Sequence, residues 1–312
     1  MFMATNTIKA RRLFRFADVV GGRRLITATV GPDVAPILLT LEGEPDYRIE
    51  TSPDQPSFPR KRAGQPNRFR IHHRVAEDVW TELDLPETVE NYHFVQPLGD
   101  GEWLLVRGRA DDDRDDNAHV HDADGRLLRS FHAGDGAEDV YVTVDGQVWI
   151  SYFDEGVYSG VKLGQAGLVR LDRSGVCSLK FNEQAVGVPT IDDCYALNVA
   201  SDREVWICYY MDFPLVRLLD SKVNAVWPSA VVGGSNAFAV RAGLVLYVGA
   251  YNRRNDLYVA RIGDRRGTKL AVVDDEGRPL KWVHSFARRD RLFLQAEDSL
   301  HVVEVPDRMP GG

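Results

Sequence analysis

Apolar and polar residues alternate along this chain in short runs, each ended by glycine, aspartate or asparagine. That is the rhythm of half-buried strands rather than of helices. Five segments repeat one design: a short apolar strand, a polar turn, and a second strand with an aromatic residue near its start. They are YHFVQPLGDGEWLLV (92–106), DVYVTVDGQVWISY (139–152), CYALNVASDREVWICYY (194–210), AFAVRAGLVLYVGAY (237–251) and HSFARRDRLFLQA (284–296). The aromatic recurs as Trp103, Trp149, Trp206, Tyr247 and Phe293, and LITATVGPDVAPILLTLE (25–42) is a weaker sixth copy with Ile37 in its place. Most copies are followed by a second hairpin, such as NAHVHDADGRLLRSF or GLVRLDRSGVCSLKF, with Asp-Gly or Ser-Gly turns.

A repeat of roughly 40–50 residues made of two hairpins is the unit of a β-propeller blade. The expectation is therefore an all-β, six-bladed β-propeller filling residues 1–312 as a single domain. The last copy ends in HVVEV (301–305) and lacks a fourth strand, which TIKARRLFRF (7–16) can supply, closing the ring and removing its edges. Seven blades would need a further blade within 43–90. The Pro-rich, charged stretch 43–68 reads instead as a loop insertion in the first blade. The best helix candidate is the short run Val79 to Leu83.

Composition then narrows the partners. A formal net charge of −8 over 312 residues repels phosphate, which argues against nucleic acid and anionic membranes. The first sixteen residues carry no apolar core of signal-peptide length, and no stretch is long enough to span a bilayer. Cys177, Cys194 and Cys208 show no CxxC pairing and read as free, buried thiols, so the expected location is cytoplasmic.

The hairpin EDVYVTVDGQVWISY followed by GLVRLDRSG resembles repeats of the NHL and streptogramin-lyase type, in a wider group that includes gluconolactonase-like hydrolases. The resemblance covers most of the chain loosely and implies a six-bladed ring. Members of that group are enzymes, scaffolds or binding modules, so it does not choose among activities.

In each blade the start of the first strand and the end of the second lie at one end of the ring. Asn91, Glu138, Asp193 and Asn236 stand near four such starts, with His284 near another. Converging carboxylate and amide oxygens suit Ca²⁺ or Mg²⁺, and the resemblance to gluconolactonases implies a divalent metal on this set. The alternative is that these side chains cap turns. The second-strand exits bring Tyr152, Asp154 and Glu155, then Tyr209, Tyr210 and Asp212, then Tyr251, Asn252 and Arg253. Aromatics joined to polar groups would line a wet pocket, unless they plug gaps between blades.

Other motifs carry less. His119 and His121 share one face of a strand expected at the surface. The run DDDRDD (111–116) reads as a solvated loop. No GxSxG, P-loop, dinucleotide or HExxH motif occurs. Three functions stay open. The first is a binding module for a small polar ligand or protein segment at the channel mouth. The second is a metal-assisted lactone hydrolase or lyase using Glu138 or His284 to move a proton. The third is a scaffold acting through the basic stretch 60–74.

Overall fold

The alternation along the chain resolves into six sheets of small strands, the blades of a six-bladed β-propeller, in a computed structural model that describes residues 6–47 and 60–310. Residues 48–59 of the expected insertion lie outside the described residues. By their contacts the chain divides into two units, one of residues 19–184 and one of the chain up to Asp18 with that from Ala185 onward.

The first unit holds blades one to three. Blade one is Arg24–Val30, Pro36–Leu41, Phe69–Ala76 and Val79–Asp84. Blade two is Phe94–Gly99, Glu102–Val106, Ala118–His121 and Leu127–Phe131. Blade three is Ala137–Val142, Val148–Tyr152, Leu168–Leu171 and Cys177–Lys180. Val79–Asp84 corrects the helix expectation: it pairs antiparallel with the preceding strand along its length, and a run this short gains more from the ladder than from one helical turn. Within the expected insertion, Arg62–Asn67 forms a two-stranded sheet with Thr88–Glu90.

The second unit holds blades four to six. Blade four is Asp193–Val199, Glu204–Tyr210, Leu215–Leu219 and Lys222–Trp227. Blade five is Phe238–Arg241, Leu244–Val248, Leu257–Arg261 and Thr268–Val273. Blade six is His284–Arg288, Arg291–Gln295 and Ser299–Glu304. The amino-terminal segment closes blade six as expected, with Arg11–Arg15 antiparallel to Ser299–Glu304. It does more than that, because Thr7–Lys9 also adds a parallel fifth strand to blade five.

The recurring aromatics all lie on the second strand of their blade, and Trp149, Trp206, Tyr247 and Phe293 are buried. Two buried amides tie neighbouring blades together. In the first unit Gln96 of blade two donates to Thr29 and to the Val30 carbonyl of blade one, and accepts from Val142 N–H of blade three. In the second unit Asn198 of blade four donates to the carbonyls of Phe238 and Arg289 and accepts from Arg289 N–H, linking blades four, five and six.

Candidate functional site

Strand register decides which side chains reach the rim. In blade four Cys194 pairs with Tyr209 and Ala196 with Cys208, so Tyr195 is an extra residue in a β-bulge. In blade three Ala137 pairs with Tyr152 and Asp139 with Ser151, so Glu138 is the equivalent bulge residue. A bulge leaves one residue out of the ladder and re-aims its side chain. Tyr195 and Glu138 are thus equivalent, as are Tyr209 and Tyr152. Glu138 and Asp193, grouped from the sequence as strand starts, are therefore not equivalent, a slip of register that the hydrophobic pattern cannot detect.

Tyr152 and Tyr209, expected to contact ligand, are instead buried and structural. Each sends its hydroxyl back to a carbonyl in the segment that leads into its blade: Tyr152 to Ala133 at 2.7 Å and Tyr209 to Pro189 at 2.9 Å. Burial raises both phenol pKa values. Gly134 sits beneath Tyr152 with φ +80°, and a Cβ there would approach the ring to 2.7 Å.

Tyr158 is exposed in the first unit, and the other exposed aromatics belong to the second. Tyr210 is 45% exposed, Met211 55% and Tyr251 60%. The bulge aims Tyr195 so that its hydroxyl hydrogen-bonds that of Tyr251, across from blade four to blade five. Phe213 receives the edges of Tyr195 and Tyr210 at centroid distances of 5.2 and 5.7 Å. Tyr251 opens a single 3-10 turn with Asn252 and Arg253, and the Arg254 guanidinium lies 5.8 Å over its ring. Asp193 stands directly opposite Tyr210 in the ladder, and Asp212 is exposed in the loop that follows. Asn236 is also exposed and accepts a hydrogen bond from Ser285 at 3.3 Å. His284, beside that serine and opposite Gln295, is reached by solvent, yet surrounding protein lowers its pKa by excluding bulk water. Tyr195 and Arg254 were missed in the sequence, and only the bulge in blade four would have signalled the first.

In the first unit, Asn91 does not face solvent. It is buried, donates to the carbonyls of Asp46 and Arg60 at 2.8 Å each, and accepts from Asn67. As a cation ligand it does not fit, because its amide is committed to holding the chain. Glu138 is exposed on its bulge. Glu155 accepts from Arg109, which also grips Asp135 and lies over Phe153, while Asp154 accepts from the Glu155 N–H. Among the described residues no three His, Cys, Asp or Glu side chains gather as a metal site requires.

Two further expectations are corrected. The run 111–116 is not simply solvated: Asp111 holds Lys61 and Arg62, and Asp115 holds Arg62 and the buried Arg107. His119 and His121 are packed against Tyr92 rather than on the surface. The basic stretch 60–74 is neutralised within the protein, since Arg60, Lys61, Arg62, Arg68, Arg70 and Arg74 all meet carboxylates. Cys194 and Cys208 are buried free thiols, and Cys177 is half-buried. No helix among the described residues is long and apolar enough to cross a membrane.

Comparison with known proteins agrees with this architecture. A family model described as the YxzG family matches residues 177–302, less than half of the chain. No curated protein matches the sequence. Among solved structures, a catalytically inactive virginiamycin B lyase from Staphylococcus aureus with quinupristin is 10% identical. That match has a TM-score of 0.50 and covers 92% of this chain and 97% of that one. A streptogramin B lyase is 11% identical at the same TM-score, covering 94% and 97%. A gluconolactonase from Xanthomonas campestris is 13% identical with a TM-score of 0.43, covering 97% of each chain. At such identities the likeness to the two lyases is one of fold.

Proposed function

We propose that this propeller is a binding module that holds a small polar ligand or a protein segment on the aromatic rim of blades four and five. The observation that carries the reading is the bulge-aimed Tyr195, tied by its hydroxyl to the exposed Tyr251 beside the exposed Tyr210 and Met211. Exposed aromatic bodies with polar tips stack on a ligand and hydrogen-bond it at once, and contiguous exposed apolar surface marks interaction sites. Asp193, Asp212, Asn252, Arg253 and Asn236 supply polar groups around it. The test is a thermal-shift screen of sugar acids, lactones and short peptides, followed by calorimetry on each hit. Tyr251→Ala should weaken binding at least tenfold, whereas Tyr152→Phe should lower the melting temperature and leave affinity unchanged. Hits that bind both variants like the wild type would remove the rim from consideration.

A second reading, a lyase or lactone hydrolase, is favoured by one observation. His284 is accessible and its lowered pKa keeps it neutral near pH 7, as a proton acceptor must be. Quinupristin and a sugar lactone, each with and without added Ca²⁺ or Mg²⁺, are the substrates to assay. Turnover abolished by His284→Ala supports this reading, and the absence of turnover under every one of these conditions ends it.

A further inference from the structure

The packing between blades one and two is unusual in what it encloses. Residues directly opposite in a ladder share a face. His119 is opposite Leu105, and His121 is opposite Trp103. Val95 and Pro97 extend the same two rows, so one face of blade two presents both histidines with a leucine and a tryptophan. Blade one presents Ile37, Leu39, Ile71 and His73 on the surface that meets it, and these pack with Val95, Leu105 and Trp103. His73 lies edge-on to Trp103 at 5.3 Å, and His119 and His121 lie edge-on to Tyr92 at 5.5 and 6.5 Å. His93, at the start of blade two, packs on Tyr47 and accepts the Gly108 N–H through Nδ1.

One ring nitrogen on each of three of these side chains is shut away from water without a hydrogen-bond partner: Nε2 of His73, Nδ1 of His119 and Nδ1 of His121. A neutral imidazole tolerates this as a bare acceptor. A protonated one does not, because both nitrogens then carry N–H groups and the second would be buried with nothing to accept it. We infer that the seam between blades one and two is a proton-operated latch, closed while His73, His93, His119 and His121 are neutral and released when they are protonated together.

The charges facing these rings are mixed. Asp33 faces His73; Glu90 and Asp116 attract a proton to His119 while Arg107 and Arg62 repel it; Asp122 attracts and His119 repels at His121; Arg107 repels at His93. Burial is the largest influence on all four and lowers their pKa values, to about 4 for His93 and His121. The unfolded chain protonates near pH 6.5. The seam is thus at full strength above that pH and weakens as the pH falls toward 4, in a window above that of the carboxylates.

The experiment equilibrates the protein between pH 7 and 4 and pulse-labels its amides at one common pH. Exchange should rise first in 69–76 and 118–121, ahead of blades four to six, with a pH dependence reporting uptake of up to four protons. In His119→Leu/His121→Leu that uptake should fall by two and the opening should move to lower pH. Should the double variant fail to fold, His121→Gln, which keeps a polar group but cannot titrate, should reduce the uptake by one. An unchanged midpoint and steepness in these variants, or exchange rising evenly through all six blades, overturns the latch.

Discussion

Asn198 shows how much one side chain can hold. Its amide is fully buried and bonds two carbonyls and one N–H that belong to other blades. Removing it takes away three hydrogen bonds to other blades, each worth roughly 1 kcal/mol, although the Arg289 carbonyl keeps the Val240 N–H. Asn198→Ala should therefore lose about 3 kcal/mol in urea unfolding. Asn198→Asp should be worse than alanine, since it keeps the contact to Arg289 N–H but turns an acceptor toward two carbonyls. A smaller loss in aspartate than in alanine would mean the hub is not needed. Gln96 plays the same part in the other unit, and nothing in the hydrophobic pattern marks either amide: each occupies one position in an otherwise apolar strand. The rim reads similarly. Tyr210 and Tyr251 were legible because aromatics at strand exits stand out. Tyr195 was not, and Tyr152 and Tyr209 misled, because a tyrosine whose hydroxyl bonds a backbone carbonyl looks in sequence like one that awaits a ligand.

Hairpins were far more legible than the side chains they carry. Period-two alternation and Asp-Gly or Ser-Gly turns located the inner hairpins and most of the outer ones, and the turn chemistry is visible in the structure. Asp122 and Asp172 each accept N–H groups from residues two and four further on, with Gly125 and Gly175 at positive φ closing the turn. Bulges escaped, since one extra residue shifts register without changing composition. The amino-terminal strand was found by subtraction, as the strand that blade six lacked, but its second attachment was not. Ala10 is buried between the two, with its N–H on the Val273 carbonyl, and the Asp275 carboxylate takes Arg12 N–H and pairs with Lys9. Deleting the chain through Phe16 uncovers the outer edges of Ser299–Glu304 and Thr268–Val273 together, and unpaired edges recruit other chains. The truncated protein should lose exchange protection in 299–304 and 268–273 and self-associate on size-exclusion chromatography. A peptide of residues 6–16 added in trans should reverse both. Unchanged protection in both segments would show that the blades hold without it.

Charge organises the molecule in a way that the totals conceal. A net charge of −8 and a basic stretch at 60–74 invite the idea of an acidic partner docking there. The structure shows why that idea weakens: the carboxylates that make the chain acidic already face those cations, and Asp111 and Asp115 reach Lys61 and Arg62 from a loop some fifty residues away in sequence, while Asp115 also holds the nearby Arg107. No local reading pairs residues so far apart. The arrangement has a consequence for acid stability. Burial by itself would raise the Asp115 pKa, but hydrogen bonds from Arg107 and the Asp111 N–H, with Arg62 beside them, outweigh it and hold the carboxyl below its ordinary value near 3.8. A carboxylate depressed in this way stabilises the fold fully above about pH 4 and loses that contribution as the pH falls through its folded-state value. Wild-type protein should therefore show a second loss of melting temperature below about pH 4, distinct from the histidine window above it. Asp115→Asn should start from a lower melting temperature at pH 7, because it leaves the buried Arg107 short of a counter-charge. Its acid limb below pH 4 should be flatter than that of the wild type. If the two profiles run parallel down to pH 2, the ion pairs around Arg107 do not govern acid stability, and the loop 111–116 is then tied to the basic stretch by geometry alone.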